Sequence, residues 1–254
     1  MPAAESTALF EPDLAARVLA RALANGGDLA ELYAERRTAF SLSLDDRKVE
    51  RANPDLAGRP SVVHGSTQLL FPGMRRLQEN SVINTKNKSH SVTAELEVPA
   101  AGASGVIVAQ GGNMGGWSFY AHDGALKYCY NHVGIVRYYV AATSALPAGR
   151  HQARMEFAYD GGGIGKGGAI TLFVDGKVVG EGRVERTHRF LFSMDETLDI
   201  GCDAGEPVSE DYGPKDNAFN GRVQWVQIDV DAAAADADHM VGAEERFNLA
   251  MARQ

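Results

Sequence analysis

The stretch YDGGGIGKGGAITLFVDGKVV, residues 159–179, indicates the class of fold to which this chain belongs. Its second half is a run of β-branched and aromatic residues interrupted by Asp175-Gly176, a dipeptide that strongly favours a two-residue β-hairpin turn. Its first half is rich in glycine around Gly165-Lys166 and is similar in composition to a phosphate-binding loop. The stretch therefore poses a choice between a nucleotide site and a loop that joins two strands.

The spacing of the glycines argues against a nucleotide site. A P-loop that ends at Gly165 and the following lysine needs glycine at position 160 and a hydroxyl residue at position 167, where the sequence has Asp160 and Gly167. Gly163 and Gly168 complete a G-x-G-x-x-G pattern with Gly165, but that fingerprint requires a helix after it, and the residues that follow are strand-like. We therefore expect a flexible loop between antiparallel strands.

The same strand pattern extends over most of the chain. Beyond about residue 65, apolar and polar residues alternate with a period of two, and turn residues separate the runs. No helical segments are interleaved, so the pattern favours an antiparallel β-sandwich over a parallel sheet. The runs are SVTAELEV, GWSFYAH, ALKYCYN, IVRYYVA, HQARMEFAY, AITLFV, KVVGEGRV, TLDIG and RVQWVQIDV.

The two ends of the chain follow a different pattern. Residues 11–27 have the apolar face and the Asn-Gly stop of an amphipathic helix, and residues 38–44 read as a strand. The sequence predicts a helix-strand segment at 1–45, a linker at 46–64 and a sandwich domain at 65–254. The last residues, GAEERFNLAMARQ, are predicted to form a short C-terminal helix.

Composition limits the classes of partner. The chain has 254 residues and a formal net charge of -8, which disfavours the neutralisation of phosphates on which non-specific nucleic-acid binding depends. No apolar run is long enough for a membrane span, and the two cysteines lack the spacing of a disulfide framework or a zinc knuckle. We expect a cytoplasmic chain that binds neither nucleic acid nor membrane.

An irregular acidic stretch at residues 202–221 is one candidate ligand site. Its carboxylates are dense enough to supply the hard oxygen ligands that Ca²⁺ takes, although the order of an EF-hand loop is absent. The alternative is a solvated loop without a metal, so calcium is the one cofactor that the sequence suggests. The candidate ligands are Asp203, Glu206, Asp211 and Asp216.

Aromatic residues supply a second candidate site. Trp117, Tyr128 and Tyr138 lie in strand-like runs and could form a platform for a ligand, although aromatics at a period of two more often fill a core. The seven histidines are scattered without metal-binding spacing. Cys129 lies inside the run KYCYN, where a buried and inert thiol is expected. No catalytic residue is predicted.

Several long strings resemble the C-terminal region of large bacterial arylsulfatases. They include FPGMRRLQENSVINTKNKSHSVTAELEVP, GVIVAQGGNMGGWSFYAHDGALKYCYN and RMEFAYDGGGIGKGGAITLFVDG, and the resemblance covers roughly residues 43–254. It implies a jelly-roll, concanavalin-like sandwich that follows a catalytic domain in the parent family. It also implies a sulfatase catalytic domain as a partner.

The residues that carry sulfatase chemistry are missing from this chain. The family needs a C/S-x-P-x-R segment, but Cys129 is followed by Tyr-Asn-His and Cys202 by Asp-Ala-Gly. The first 45 residues are instead similar to the opening helix and strand of the TldD/PmbA metalloprotease family, whose zinc motif is absent. The junction of the two resemblances lies within residues 42–51.

These observations predict a non-catalytic β-sandwich module of arylsulfatase type, with a packing or ligand-binding role. The alternative is a lectin-like domain that binds a divalent metal or a carbohydrate.

Overall fold

The computed structural model describes residues 62–63, 65–189, 191–193, 196–234, 239–242 and 244. All of them belong to the unit Ser61–Gln254. The helix-strand segment predicted at 1–45 and most of the linker predicted at 46–64 lie outside these residues. So does nearly all of the predicted C-terminal helix, of which only residues 242 and 244 are described.

The described residues form two antiparallel sheets, which confirms the predicted mainly β, jelly-roll-type sandwich. One sheet has six strands in the order β1-β11-β2-β7-β8-β9, and the other has five in the order β10-β3-β4-β5-β6. Two short 3₁₀ helices, η1 (Glu79–Ser81) and η2 (Asp231–Ala234), accompany them. The strands are β1 (Thr67–Leu70), β2 (His90–Val98), β3 (Gly105–Gly112), β4 (Gly115–His122), β5 (Ala125–His132), β6 (Val136–Ala145), β7 (Gly149–Tyr159), β8 (Gly168–Val174), β9 (Lys177–Val184), β10 (Leu198–Ile200) and β11 (Arg222–Val230).

The hairpin predicted at Asp175-Gly176 is present and joins β8 to β9. Both turn residues have positive φ, 50° at Asp175 and 73° at Gly176, as a type I′ turn requires. Val174 pairs with Lys177 across the turn. The glycine-rich stretch connects β7 to β8, which are antiparallel neighbours, so it is a strand connection as predicted.

Strand alternation places one face of each sheet in a common core. In β2 the inward residues are Val92, Ala94 and Leu96, all with no exposed surface, and they meet inward residues of β4 and β5 such as Phe119 and Leu126. Burying an aliphatic or aromatic side chain of this size contributes about 1.5–3 kcal/mol. The two inner faces therefore supply the main stabilising free energy of the sandwich.

The outward faces of both sheets are also covered. On the five-stranded sheet, Val106, Tyr120 and Cys129 form a second apolar cluster with Val208 from the loop at residues 201–221. On the six-stranded sheet, the outward residues of the central strands are polar, yet they are buried. This second face therefore differs from an ordinary solvent-facing sheet.

Candidate functional site

The aromatic residues predicted as a ligand platform lie mainly in the core. Trp117 and Tyr128 have no exposed surface, and their rings stack with centroids 6.4 Å apart. Trp117 Nε1 donates to Gln110 Oε1 at 3.0 Å. Tyr138 is half-buried and packs against the same core. Neither Trp117 nor Tyr128 presents its ring at the surface, so the packing alternative describes these two positions.

The acidic stretch 202–221 lies in the loop between β10 and β11, and this loop is fixed to the outward face of the five-stranded sheet. Asp203 is 2% exposed, and its Oδ2 accepts hydrogen bonds from the Val208 N–H at 3.1 Å and the Tyr212 O–H at 2.8 Å. Burial raises the pKa of the Asp203 carboxyl to about 6, and the two hydrogen bonds oppose that shift. Asp203 therefore acts as an internal anchor for its loop.

Asp211 anchors the same loop further along. Its Oδ2 accepts from the Tyr120 O–H and from Lys127 Nζ, both at 2.5 Å. Burial alone would raise the pKa of Asp211, but the hydrogen bonds from Lys127 and Tyr120 outweigh it and the pKa is lowered. Arg137 adds a hydrogen bond from Nε to the Val208 carbonyl at 3.0 Å. The carboxylates of Asp203 and Asp211 are thus paired with donors of the protein itself.

The other two calcium candidates lie apart from these contacts. Glu206 and Asp216 are exposed, and Asp216 has a φ of 58°. Within the described ranges, no group of three or more His, Cys, Asp or Glu side chains is placed to hold a metal ion. The loop does not bring Asp203, Glu206, Asp211 and Asp216 together as a ligand set, and calcium binding stays a prediction.

The glycine-rich loop is held by side chains and not arranged around an anion. Tyr159 Oη donates to the Gly163 carbonyl at 2.6 Å and accepts from the Lys166 N–H at 3.0 Å. The Gly165 N–H donates to Asn87 Oδ1 at 2.7 Å. Two of the loop's backbone N–H groups are therefore already paired within the protein, which is unlike an open phosphate cradle.

The outward face of the six-stranded sheet carries an ordered set of polar side chains, here called the polar face. Cross-strand pairing sets three rows across β11, β2 and β7, because paired residues point to the same side of a sheet. Rows are two residues apart along each strand, so the three rows span ~13 Å. The rows are Asp229–Ser91–Glu156, Gln227–Thr93–Arg154 and Trp225–Glu95–Gln152.

Buried oxygen atoms without a hydrogen-bond partner on this face include Glu95 Oε2 and Ser91 Oγ. Glu95 is 1% exposed, and its Oε2 is buried without a donor, while Oε1 is paired with the guanidinium of Arg150. Ser91 Oγ, two rows away on the same strand, is also buried and unpartnered. Leaving such a group unsatisfied costs about 1–3 kcal/mol, and more for a charged group. A buried carboxylate oxygen without a donor is the kind of feature that a bound ligand would satisfy.

The polar residues beside Glu95 have both donors and acceptors. Gln152 lies opposite Glu95 on β7 and Trp225 lies opposite it on β11, and both are buried. Arg154, in the middle row, donates to Thr93 Oγ1 at 3.0 Å and to Glu156 Oε1 at 2.7 Å. The row of Glu95 therefore places an indole ring, an amide and a carboxylate side by side on the polar face.

Residues after β11 cover the polar face along β7. The Gln152 amide accepts from the Val241 N–H at 2.9 Å and donates to the Val241 carbonyl at 3.4 Å. Arg154 also donates to the Ala234 carbonyl at 2.9 Å. His239 lies over Phe173, with ring centroids 4.2 Å apart, and its Nδ1 is 2.8 Å from Glu156 Oε1.

Sequence reasoning missed the polar face. The alternation in SVTAELEV, HQARMEFAY and RVQWVQIDV assigns Glu95, Arg154 and Gln227 to outward positions, which is correct, but outward polar residues are ordinarily solvated. The register that aligns these strands joins segments far apart in the chain. The one available signal was the concentration of Gln, Glu and Arg at outward positions of three strands.

Both cysteines are free and buried, in different elements. Cys129 is expected to be buried, and it has no exposed surface. This burial raises the pKa of its thiol to about 12. Within the described part of the chain, no helix is long and apolar enough to cross a membrane.

Comparison with known proteins yields structural likenesses only. No protein-family model matches the chain, and no curated protein matches it significantly. Similar solved structures include the CBM40 domain of the Ruminococcus gnavus IT-sialidase bound to α2,3-sialyllactose. The sequence identity is 11% and the TM-score is 0.43, and the match covers 68% of this chain and 95% of that chain. Domains LG4-5 of the mouse laminin α1 chain have 18% identity and a TM-score of 0.40, with coverage of 70% and 42%.

A mutant of NanB sialidase from Streptococcus pneumoniae has 11% identity and a TM-score of 0.46, with coverage of 70% of this chain and 27% of that chain. At these identities and TM-scores the likenesses carry no argument about what this chain binds.

Proposed function

We propose that this chain is a lectin-like, non-catalytic module that binds a neutral oligosaccharide on its polar face. The observation that carries the proposal is the buried Glu95 oxygen without a donor, in one row with Gln152 and Trp225. The ligand that satisfies this row offers a hydrogen-bond donor to Glu95, exchanges hydrogen bonds with an amide and packs an apolar surface on an indole. A pyranose ring has hydroxyl groups at its edge and C–H groups on its faces, which meets all three requirements.

The charge of the face favours a neutral saccharide over an acidic one. The three rows hold three carboxylates, at Glu95, Glu156 and Asp229, and the Arg154 guanidinium of the middle row already pairs with Glu156. The Arg150 guanidinium, one row beyond Glu95, already pairs with Glu95 Oε1. An anionic group would offer no proton to the remaining acceptor, Glu95 Oε2, whereas a hydroxyl group would donate one.

The buried Cys129 thiol, with its raised pKa, is unsuited to nucleophilic chemistry.

The test is a binding screen followed by titration calorimetry. Pentasaccharides of glucose, mannose, xylose and N-acetylglucosamine, with 3′-sialyllactose as the acidic probe, should separate neutral from acidic recognition. We expect a neutral probe to bind, and Glu95→Gln and Gln152→Ala to weaken it at least tenfold. Tyr139→Ala, on the outward side of the five-stranded sheet, is the control and should bind as the wild type does.

Binding that survives both polar-face substitutions, or preference for the acidic probe, would contradict the proposal.

A second candidate is the packing role that follows from the resemblance to arylsulfatase C-terminal regions. It is favoured by exposed apolar side chains at two adjoining hairpin tips, Met114 on one and Val133, Ile135 and Val136 on the other, with Ile135 81% exposed. An arylsulfatase catalytic domain without its own C-terminal region, added in trans, should associate with the wild type and not with Ile135→Asp. The wild-type chain alone should show no turnover of nitrophenyl sulfate. If the wild type and Ile135→Asp associate equally with the catalytic domain, this second candidate is excluded.

A further inference from the structure

The residues that cover the polar face contact the side chains that the proposed saccharide would use. These residues, Asp231–Ala234 and 239–242, are here called the C-terminal strap. Gln152 is bonded to both the N–H and the carbonyl group of Val241, so its donor and its acceptor are occupied together. Arg154 gives one N–H to the Ala234 carbonyl. The strap thus supplies an amide and a carbonyl where a ligand would supply its own polar groups.

We infer that the C-terminal strap regulates access to the polar face, by competing with the saccharide for Gln152 and Arg154. This inference rests on the proposed function, since it concerns the same site. The strap and the ligand exclude each other, so saccharide binds the open form, in which Val241 and Ala234 have left their partners.

The contacts of the strap are of a kind that can open locally. At its N-terminal end, η2 packs against β2 and β11, and Ala234 is 9% exposed. At the other end, His239 lies over Phe173 and beside Glu156, and Val241 is 1% exposed. The strap is attached to β7 by side-chain hydrogen bonds from Gln152 and Arg154 and by the contact of His239 with Glu156, and its described residues form no strand ladder there. At Asp231 the backbone N–H also donates to the Ser89 carbonyl at 2.8 Å. Segments held in this way open at a lower free energy than the whole fold.

Closure of the strap would lower the apparent affinity of the site. When only a fraction of molecules is open, the apparent Kd equals the intrinsic Kd divided by that fraction. Any change that weakens the strap without touching the polar face should therefore tighten saccharide binding. This direction is opposite to the effect of Glu95→Gln or Gln152→Ala.

The discriminating variants change Val241 alone. Val241→Pro removes the N–H that donates to Gln152, whereas Val241→Ala keeps the N–H and removes only side-chain packing. Gly242→Ala is the neutral control, because a Cβ at this position meets nothing within 4 Å. All variants are full-length chains, and their overall fold is checked by the cooperativity of urea unfolding.

A ligand-independent measurement reports the opening itself. The chain has two tryptophans: Trp117 is in the core, and Trp225 is on the polar face and 5% exposed. We expect acrylamide quenching of tryptophan fluorescence to rise at least twofold in Val241→Pro, less in Val241→Ala and not in Gly242→Ala. The rise should vanish when Trp225→Phe is added, since Trp117 stays buried.

Binding of the neutral pentasaccharide that the screen selects is then measured by calorimetry. Val241→Pro should bind it about tenfold more tightly than the wild type, which corresponds to ~1.4 kcal/mol. Unchanged quenching together with unchanged affinity in Val241→Pro would overturn the inference and leave the proposed site intact. Increased quenching without saccharide binding by any variant would overturn the proposed function, while the covering role of the strap would be supported.

Discussion

Replacing Asp203 with asparagine should stabilise the protein, and by more at pH 8 than at pH 5. Asp203 is 2% exposed, and its burial raises the carboxyl pKa from 3.8 to about 6. The folded state therefore holds this proton more tightly than the unfolded chain does. The stabilisation that this tighter proton binding gives the folded state is fully present below pH 3.8 and is lost as the pH rises through about 6.

The size of the effect follows from the two pKa values. A difference of about two pH units corresponds to ~3 kcal/mol, and roughly half of that falls between pH 5 and pH 8. Asparagine cannot ionise, and its Oδ1 can still accept from the Val208 N–H and the Tyr212 O–H. The variant should thus avoid the cost of a buried charge without losing the anchors of its loop.

Urea unfolding of the wild type and Asp203→Asn at pH 5 and pH 8 measures this directly. The stability difference between variant and wild type should grow by about 1–2 kcal/mol from pH 5 to pH 8. Asp216→Asn, at an exposed position of the same loop, is the control and should show little change. A stability difference that is the same at both pH values would refute the reasoning.

Three further predictions concern the scaffold. Gly105 and Gly102 have similar positive φ, 99° and 97°, but a Cβ at Gly105 overlaps the backbone of Ala218 whereas one at Gly102 meets open space. Gly105→Ala should therefore lower the free energy of unfolding by at least ~3 kcal/mol, and Gly102→Ala should lower it by about 1–2 kcal/mol. Equal losses for the two variants in thermal unfolding would contradict this. In a Cys202→Ser background, Cys129 should react with Ellman's reagent only after unfolding, because it is buried and its pKa is raised to about 12; rapid reaction of the native protein would show that the thiol is accessible. Tyr159→Phe removes both hydrogen bonds that the hydroxyl makes in the glycine-rich loop, so hydrogen exchange at the Lys166 amide should accelerate about tenfold, and calorimetry with ATP should show no binding in either protein. Unchanged exchange, or saturable heat with ATP, would count against this reading of the loop.

Local features of the fold could be read from the sequence because they depend on neighbouring residues. The Asp175-Gly176 turn and the alternation in each strand follow from backbone conformation and from the two faces of a sheet. The order of strands could not be read in this way. β2 pairs with β11, more than a hundred residues later, and local patterns carry no information on such a pairing.

The same limit explains what was missed at the candidate site. Glu95 and Gln152 were identifiable as outward residues of their strands, but only the register places them opposite each other with Trp225 in the same row. For Trp117 and Tyr128, alternation left both a surface platform and a core position open. Their burial depends on which face meets the other sheet, which is a property of the whole sandwich.

The most direct test of the polar face as a saccharide site uses the two tryptophans as internal probes. In protein labelled with ¹⁵N-tryptophan, each indole gives one NMR signal, and the Trp225→Phe variant assigns them. Titration with the neutral pentasaccharide should shift the Trp225 signal in a saturable way and leave the signal of the core residue Trp117 in place. A saturable shift confined to Trp117, or binding detected by calorimetry with no change at Trp225, would contradict the account.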